Sequence, residues 1–499
     1  MRDEEPLVAA SPTETLVAGA AGLAEVLREH EVLREHDVNA DGGRAASKLG
    51  QWSWALFEAA RDPNVIFQIY VISPFFATVM ISDAIRGQEL WGETITYSGF
   101  IGAIFAPFLG AIADKGGRRK PWLAIFAGLM VISFAGTWFG VPNSSSMQIF
   151  IVAAMITLNN IVFEFSNVFH AAMLSSVAPR ARVGGLSGLA YALGSGAGVL
   201  LLIFFFLFFL LPGHLHAPFV PAHPLFGVNQ AAYEPQRLSG PISAVWMLLF
   251  AVPLFLWTPD RASMLGWRES LRQGTASVVA TIRSLKHYKN VAHYLGARTL
   301  FNDGLTGVLN FTGIFVAGVF GLSGLELAAY GIVICIFAAL GGLVGGSLDN
   351  HIGSKQALLI SIGGCTLFFT LGLTMAPDRI LWFWHSAALA RPVLSVPIFN
   401  TWPRLLYLGL ASLNAMCVVA GYANSRTMMA RIAPQEKMTE FFGLMSLSGT
   451  AATFLCPVMV ALMTRWTHSQ RGGLIIVAVF LGAGFLWMFK VKEERAVAI

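Results

Sequence analysis

The chain has 499 residues, of which 55% are hydrophobic and 12% charged, with a mean hydropathy of +0.64. A soluble globular protein carries roughly 25% charged residues, so this balance argues against a soluble domain and for a polytopic membrane protein. The formal net charge of +5 sits mainly in the segments between apolar runs, which marks topology and not nucleic-acid binding.

Residues 1–50 read as a polar cytoplasmic tail, with no early apolar core of a signal peptide. The tail holds a tandem duplication, Glu-Val-Leu-Arg-Glu-His at 25–30 and 31–36. A bilayer span needs about 20 apolar residues. Twelve such segments are expected, at roughly 65–82, 95–113, 121–141, 147–171, 188–211, 241–258, 295–319, 325–348, 357–376, 404–429, 440–463 and 472–490. The first contains Gln68, Tyr70, Thr78 and Pro74, the last a kink position.

The loop after the second segment is the most informative stretch. Gly110-Ala-Ile-Ala-Asp114 leads into Gly116, Gly117, Arg118, Arg119, Lys120 and Pro121. The glycines permit a tight turn, the basic cluster sits at the water boundary, and Pro121 opens the next helix. The fourth segment places Asn160, Glu164 and Asn167 on one helical face, beside Asn159. They form either a wet stripe on a central cavity or a hydrogen-bonded helix seam. Burial between Phe163 and Phe165 disfavours the charged form of Glu164, which suits a proton carrier. In the fifth segment Gly194-Ser-Gly196-Ala-Gly198 reads as close helix packing. The outer loop 212–240 contains His214, His216 and His223, read as a solvated loop and not a metal site.

The central loop 259–294 is the most basic and divides the chain into halves, residues 51–258 and 295–490, with 491–499 as a second tail. The seventh segment carries Arg298, Asn302, Asp303, Thr306 and Asn310. Gly304, Gly307 and Gly313 make it thin and bendable. Arg298 and Asp303 could meet a substrate's carboxylate and amine, or Arg298 could snorkel to the interface. The tenth offers Asn414, Gly421 and Arg426, the last more a gate than a ligand. The four cysteines all lie in apolar segments without CxxC spacing, so neither disulfides nor metals are expected. No P-loop occurs, so ATP is not the direct energy source.

Loops on the side of Asp114 carry eighteen Lys and Arg, those on the other side seven, and residues 1–64 six more. The bias puts both termini in the cytoplasm. The halves also repeat. Gly110–Asp114 matches Gly345-Gly-Ser-Leu-Asp349, and Ala178-Pro179, Gly188-Leu189 and Asn159 match Ala433-Pro434, Gly443-Leu444 and Asn414.

Twelve segments in two six-helix halves, with Gly110–Lys120 between the second and third, resemble the major facilitator superfamily. More narrowly, the chain resembles its bacterial vacuole-effluxer-like branch, related to autophagy-linked vacuolar amino-acid exporters. The residues concerned are Trp54-Ala-Leu-Phe-Glu-Ala-Ala-Arg-Asp-Pro63, Arg182-Val-Gly-Gly-Leu-Ser-Gly-Leu-Ala-Tyr191, Gly227-Val-Asn, Pro241, Pro259-Asp260 and Asn302-Asp-Gly304. One departure is that Phe57-Glu58-Ala59-Ala60-Arg61 replaces the branch's usual Tyr-Asp-Trp-Ala-Asn. The resemblance implies an all-α fold and alternating access around a midplane site. It also implies a small solute, best an amino acid or zwitterion, as substrate. Protons are the expected coupling ion. A monomer in a bacterial inner membrane is expected, with no cofactor, no metal and no enzymatic activity. The alternatives are a drug or metabolite exporter, and a non-transporting receptor or lipid-handling protein. The substrate and coupling candidates are Glu164, Asp303, Asn160, Asn302, Asn310, Arg298, Asn159 and Asn414. The gate candidates are Gly110, Asp114, Gly117, Arg118, Arg119 and Asp349, with Asp114 expected to cap a second-half helix near Thr439 and Glu440.

Overall fold

A computed structural model of the chain describes residues 38, 39, 44–115, 118–179, 183–215, 219–260, 272, 285–386, 389, 391–393, 398–433, 441, 444, 445, 448, 449 and 453–493. The first half contains α1 (Lys48–Met80), α2 (Ala84–Lys115), α3 (Lys120–Phe139), α4 (Ser146–Val177), α5 (Val183–Leu210) and α6 (Glu234–Trp257). The second contains α7 (Lys289–Phe320), α8 (Gly324–Ile352), α9 (Ser354–Leu373), α10 (Trp402–Ile432), α11 and α12 (Gln470–Met488). In α11, Phe441, Leu444, Met445, Ser448 and Gly449 are helical. A turn at Thr453 and Phe454 then precedes Leu455–Thr467. Ten of these helices are each long and apolar enough to cross a membrane. α2, with Arg86, Glu89 and Glu93 in its first turns, and the interrupted α11 complete the twelve-helix layout of this multi-pass membrane protein.

Two boundaries differ from the sequence reading. α1 starts at Lys48 and not near 65, so Glu58, Arg61 and Asp62 lie inside a spanning helix. Charges that look interfacial in sequence are tolerated there because each finds a partner. α11 is expected as one helix over 440–463, but the chain turns at Thr453 and Phe454. Pro457 accounts for this, since its ring excludes the carbonyl of residue 453 from a continuing helix. Pro74 acts less drastically. It is flanked by wide π-helical turns, Gln68–Ile72 and Phe76–Met80, which keep α1 continuous.

The internal repeat is expressed in the helix caps. The Asp260 carboxylate, just past α6, accepts the N–H groups of Arg119 (3.0 Å) and Lys120 (3.1 Å) at the start of α3. The Glu493 carboxylate, just past α12, accepts those of Ser354 (3.0 Å) and Lys355 (3.0 Å) at the start of α9. Lys120 Nζ reaches the Phe255 carbonyl (3.0 Å), and Lys355 Nζ reaches that of Phe489 (3.4 Å). An acid at a helix N-terminus satisfies orphan N–H groups and complements the helix dipole. Each half therefore closes its third helix with an acid from behind its sixth.

The starts of α1 and α7 and the ends of α6 and α12 share one side of the molecule, here the terminal face. Contacts between the halves gather toward the other side, the far face. There the end of α1 packs on α7, α5 on α8, and α2 on Leu455–Thr467. Polar bonds tie α2 to Leu455–Thr467 and to α7. Arg465 pairs with Glu89 and with Glu93 (2.7 Å), Gln88 donates to Thr464 (2.8 Å), and Trp91 donates to the Asn310 carbonyl (3.1 Å).

Candidate functional site

The densest group of ionisable side chains within the described helices lies on α1 and α4, near the middle of both. Arg61, 3% exposed, pairs with Glu58 one turn before it and with Asp62 (3.2 Å), and donates to Asn167 on α4 (3.4 Å). Its guanidinium also lies over the Phe163 ring, 4.6 Å from the centroid. The other Glu58 oxygen meets His170 Nδ1 at 3.1 Å. His170 stacks on Trp54 with ring centroids 4.4 Å apart, and its Nε2 lies 2.9 Å from the Trp54 carbonyl. Trp54 Nε1 in turn donates to the His170 carbonyl (3.0 Å). These bonds supply what a buried charge needs.

Glu164, half-buried on α4, lies within electrostatic reach of Arg61. Glu58 and Asp62 contact the guanidinium, and Glu164 adds a third carboxyl within its field. Asp62 and Glu164 are the more exposed carboxyls, and the half-buried Asn160 and Asn167 share the α4 stripe. Gly194 on α5 fits here for a steric reason, because a Cβ would collide with the Asp62 carboxylate. Three residues earlier, Tyr191 receives a hydrogen bond from Arg426 of α10 (2.9 Å), a contact between the halves. An acid-rich cluster of this kind can bind a cationic or amine group, or take up protons.

Asn159 points elsewhere. It donates to Gln68 Oε1 (3.4 Å) and accepts from Ser133 (3.4 Å), a buried seam joining α4, α1 and α3. Its repeat partner Asn414 faces Thr312 and Phe368, beside a space of about 10 Å3.

On α7, Arg298 and Asp303 contact α11 on either side of its turn. Arg298 donates to the Met445 carbonyl (2.6 Å) and to Ser448 (3.1 Å). Asp303 accepts the Cys456 N–H (2.7 Å) in the first turn of Leu455–Thr467. The cation thus meets a carbonyl of the first stretch, and the anion an N–H that begins the second, where a negative charge complements the helix dipole. Gly304 packs on Leu481, and Gly307 on Cys456 and Val477. Asn302 is buried, and Asn310 half-buried.

Of the gate candidates, Gly110 and Asp114 lie in the last turns of α2, and the Asp114 side chain lies outside the described residues, as do Gly117, Thr439 and Glu440. Arg118 is exposed, while Arg119 is buried and reaches Ser176 (3.5 Å). Asp349 accepts from Ser354 and pairs with Arg431 of α10 (3.2 Å), within its own half. Sequence reasoning missed Arg61, Asp62 and His170 as members of a cluster, and Glu89, Glu93 and Arg465 as a bridge. The signal for the first was present, since an apolar-flanked His170 follows the α4 stripe at helical spacing.

Comparison with known proteins agrees with this architecture. A family model described as "Vacuole effluxer Atg22 like" matches residues 94–498. An uncharacterised MFS-type transporter of Bacillus subtilis, YxiO, is 22% identical over 454 residues, covering 89% of this chain and 95% of that protein. Autophagy-related protein 22 of Yarrowia lipolytica is 23% identical over 283 residues, covering 52% of this chain and 45% of its own length. Among solved structures, a D-xylose–proton symporter superposes with a TM-score of 0.62 at 14% identity, covering 89% of this chain and 97% of that one. An inward-facing bacterial homologue of the human lysosomal transporter Spinster gives 0.59 at 15% identity, covering 90% and 98%. At such identities the structures speak for the fold alone.

Proposed function

Because the chain belongs to the vacuole effluxer Atg22-like family of major facilitator transporters, we propose that it moves an amino acid or other small zwitterion by alternating access, coupled to protons. The observation that carries this reading is the mid-helix cluster, where Glu58, Asp62 and Glu164 outnumber Arg61. An acid surplus away from water favours one bound proton or one substrate ammonium. Exchange between the two couples the flows. Glu164 and Asp62, on the more exposed edge, take that role, with Asn160 and Asn167 offering hydrogen bonds to the substrate. On this reading the terminal face is cytoplasmic, as the basic loops favour, and the membrane is a bacterial inner membrane. Asp114, with Gly110, Gly117, Arg118 and Arg119, belongs to the gate on that face.

The test is flux in proteoliposomes, with labelled amino acids and other small solutes screened with and without an imposed pH gradient. Wild-type protein should show gradient-driven flux of at least one zwitterion. Glu164→Gln should lose the gradient dependence while keeping its melting temperature. Undiminished pH-driven flux in Glu164→Gln would remove that residue from coupling, and no gradient-dependent flux of any solute would favour a non-transporting role.

A further inference from the structure

A groove of about 720 Å3 runs between α2 and α4 in the far-face half of the molecule. Its α2 wall is one helical stripe, Arg86, Leu90, Glu93, Thr94 and Tyr97. The α4 wall runs from Ser146 to Ile161, and Phe76 and Ile81 close the back. Both walls are spanning helices, and Tyr97 (61% exposed) and Phe150 (69% exposed) stand at the rim, so the groove opens sideways onto the bilayer. Its width comes from Ala153 and Ala154, small residues at the centre of the α4 wall.

Its polarity is graded. From Arg86 to Tyr97 the helix rises about 16 Å, close to half of the ~30 Å hydrocarbon core. Arg86 stands at the helix start, Glu93 further along is paired with Arg465 of the other half (2.7 Å), and the deeper end, toward Tyr97 and Ile161, carries no charge. At the charged end Arg86 pairs with Glu89 (2.7 Å), but its side chain stays 48% exposed. Glu89 also pairs with Arg465 of the other half.

We infer that this groove holds one phospholipid of the far-face leaflet, with its phosphate on Arg86 and one acyl chain along Leu90, Phe150, Ala153 and Leu158. A guanidinium has five donors in a fork that matches phosphate oxygens, and Glu89 uses part of that fork. The side chain keeps donors to spare and stays exposed at the start of α2, beside a channel whose α4 wall is mainly apolar. A phosphate there competes with Glu89 for Arg86 and leaves that carboxylate to Arg465. The bound lipid therefore strengthens the bridge that closes the far face.

The experiment is native mass spectrometry of the full-length protein in detergent, titrated with palmitoyl-oleoyl-phosphatidylglycerol, dioleoylglycerol or inorganic phosphate. One phospholipid adduct is expected to persist. Arg86→Gln should weaken it about tenfold without changing dioleoylglycerol binding, and Ala153→Trp should abolish both. Leu249→Trp, on the exposed side of α6, is the control and should change neither. Equal binding by Ala153→Trp and the control, or dioleoylglycerol bound by wild type as tightly as phospholipid, would overturn the site. Inorganic phosphate displacing the adduct would reduce it to an anion site. Should Ala153→Trp fail to fold, photo-crosslinking wild type with a diazirine-tailed phospholipid decides. Labelling confined to 86–97 and 146–161 supports the groove, and labelling spread over all outward helices overturns it. Phospholipid should also raise the melting temperature of wild type more than that of Arg465→Ala, and equal rises would sever the link to the bridge.

Discussion

Arg61 is the residue on which the α1–α4 cluster depends, because it touches Glu58, Asp62 and Asn167 and lies near Glu164. Removing one partner of a buried charge group leaves the others uncompensated, at a cost of about 3–5 kcal/mol. Arg61→Met should therefore lower the melting temperature in detergent sharply. Arg61→Lys keeps the charge but not the fork and should fall between Arg61→Met and wild type. A melt indistinguishable from wild type for Arg61→Met would mean that the pairs contribute little. The α4 stripe was legible in sequence because Asn160, Glu164 and Asn167 recur at helical spacing. Arg61 was not. Three charges in five residues, Glu58, Arg61 and Asp62, before an apolar run look like a water-facing approach, and the partner that solvates Glu58, His170, lies 112 residues away.

At the scale of an element, α11 depends on α7. Its turn leaves the first N–H groups of Leu455–Thr467 without helical partners, and Asp303 accepts one of them, from Cys456, while Arg298 holds the stretch before the turn through Met445 and Ser448. Dipole complementarity of the kind at Asp303 is worth about 0.3–2 kcal/mol. Asp303→Asn retains an acceptor for the Cys456 N–H and should cost less stability than Asp303→Leu. Exchanging the two charges should not rescue either single variant, because a cation would then face the Cys456 N–H and an anion the Met445 carbonyl. Recovery of stability in the exchanged double variant, measured by thermal unfolding, would show that the two side chains interact only with each other. The glycines of α7 are visible in sequence as the marks of a thin, bendable helix. In the fold, Gly304 and Gly307 are points of close approach to α12 and α11. Pro457, the breaker, sits inside an apolar run that on length alone reads as one span.

For the whole molecule, twelve segments, two halves and the repeat could be read from apolar runs and short matches, because those signals are local. Contacts between halves could not, since each depends on how two rigid bodies dock. The Arg465 bridge is such a contact. Arg465→Ala should raise the reactivity of Thr464→Cys toward an impermeant maleimide several-fold, since Thr464 is fully buried against Gln88 here. Unchanged reactivity would mean that the bridge does not hold that face closed. The cap at Glu493 makes a prediction about pH. Burial pushes its carboxyl up, but the Lys355 N–H, Arg431 and the Ser354 N–H outweigh this and hold it below the usual glutamate range. A depressed acid stabilises the fold above its unfolded value, ~4.3, and that contribution fades only as pH falls through the lower folded value. Wild-type and Glu493→Gln melting temperatures should differ most at neutral pH and converge under acid. A constant difference between pH 7 and pH 3 would argue against the cap.

The paired caps bear on how such a chain can be divided and inherited. Asp260 serves the half that precedes it, and Glu493 the half that ends with it. A cut in the stretch between residues 261 and 284 would therefore sever neither cap. Each product would carry its own closing acid, so two separately encoded six-helix polypeptides could reunite as one molecule. An ancestral six-helix unit with an acid behind its last helix would already have possessed this closure, and duplication would have copied it whole.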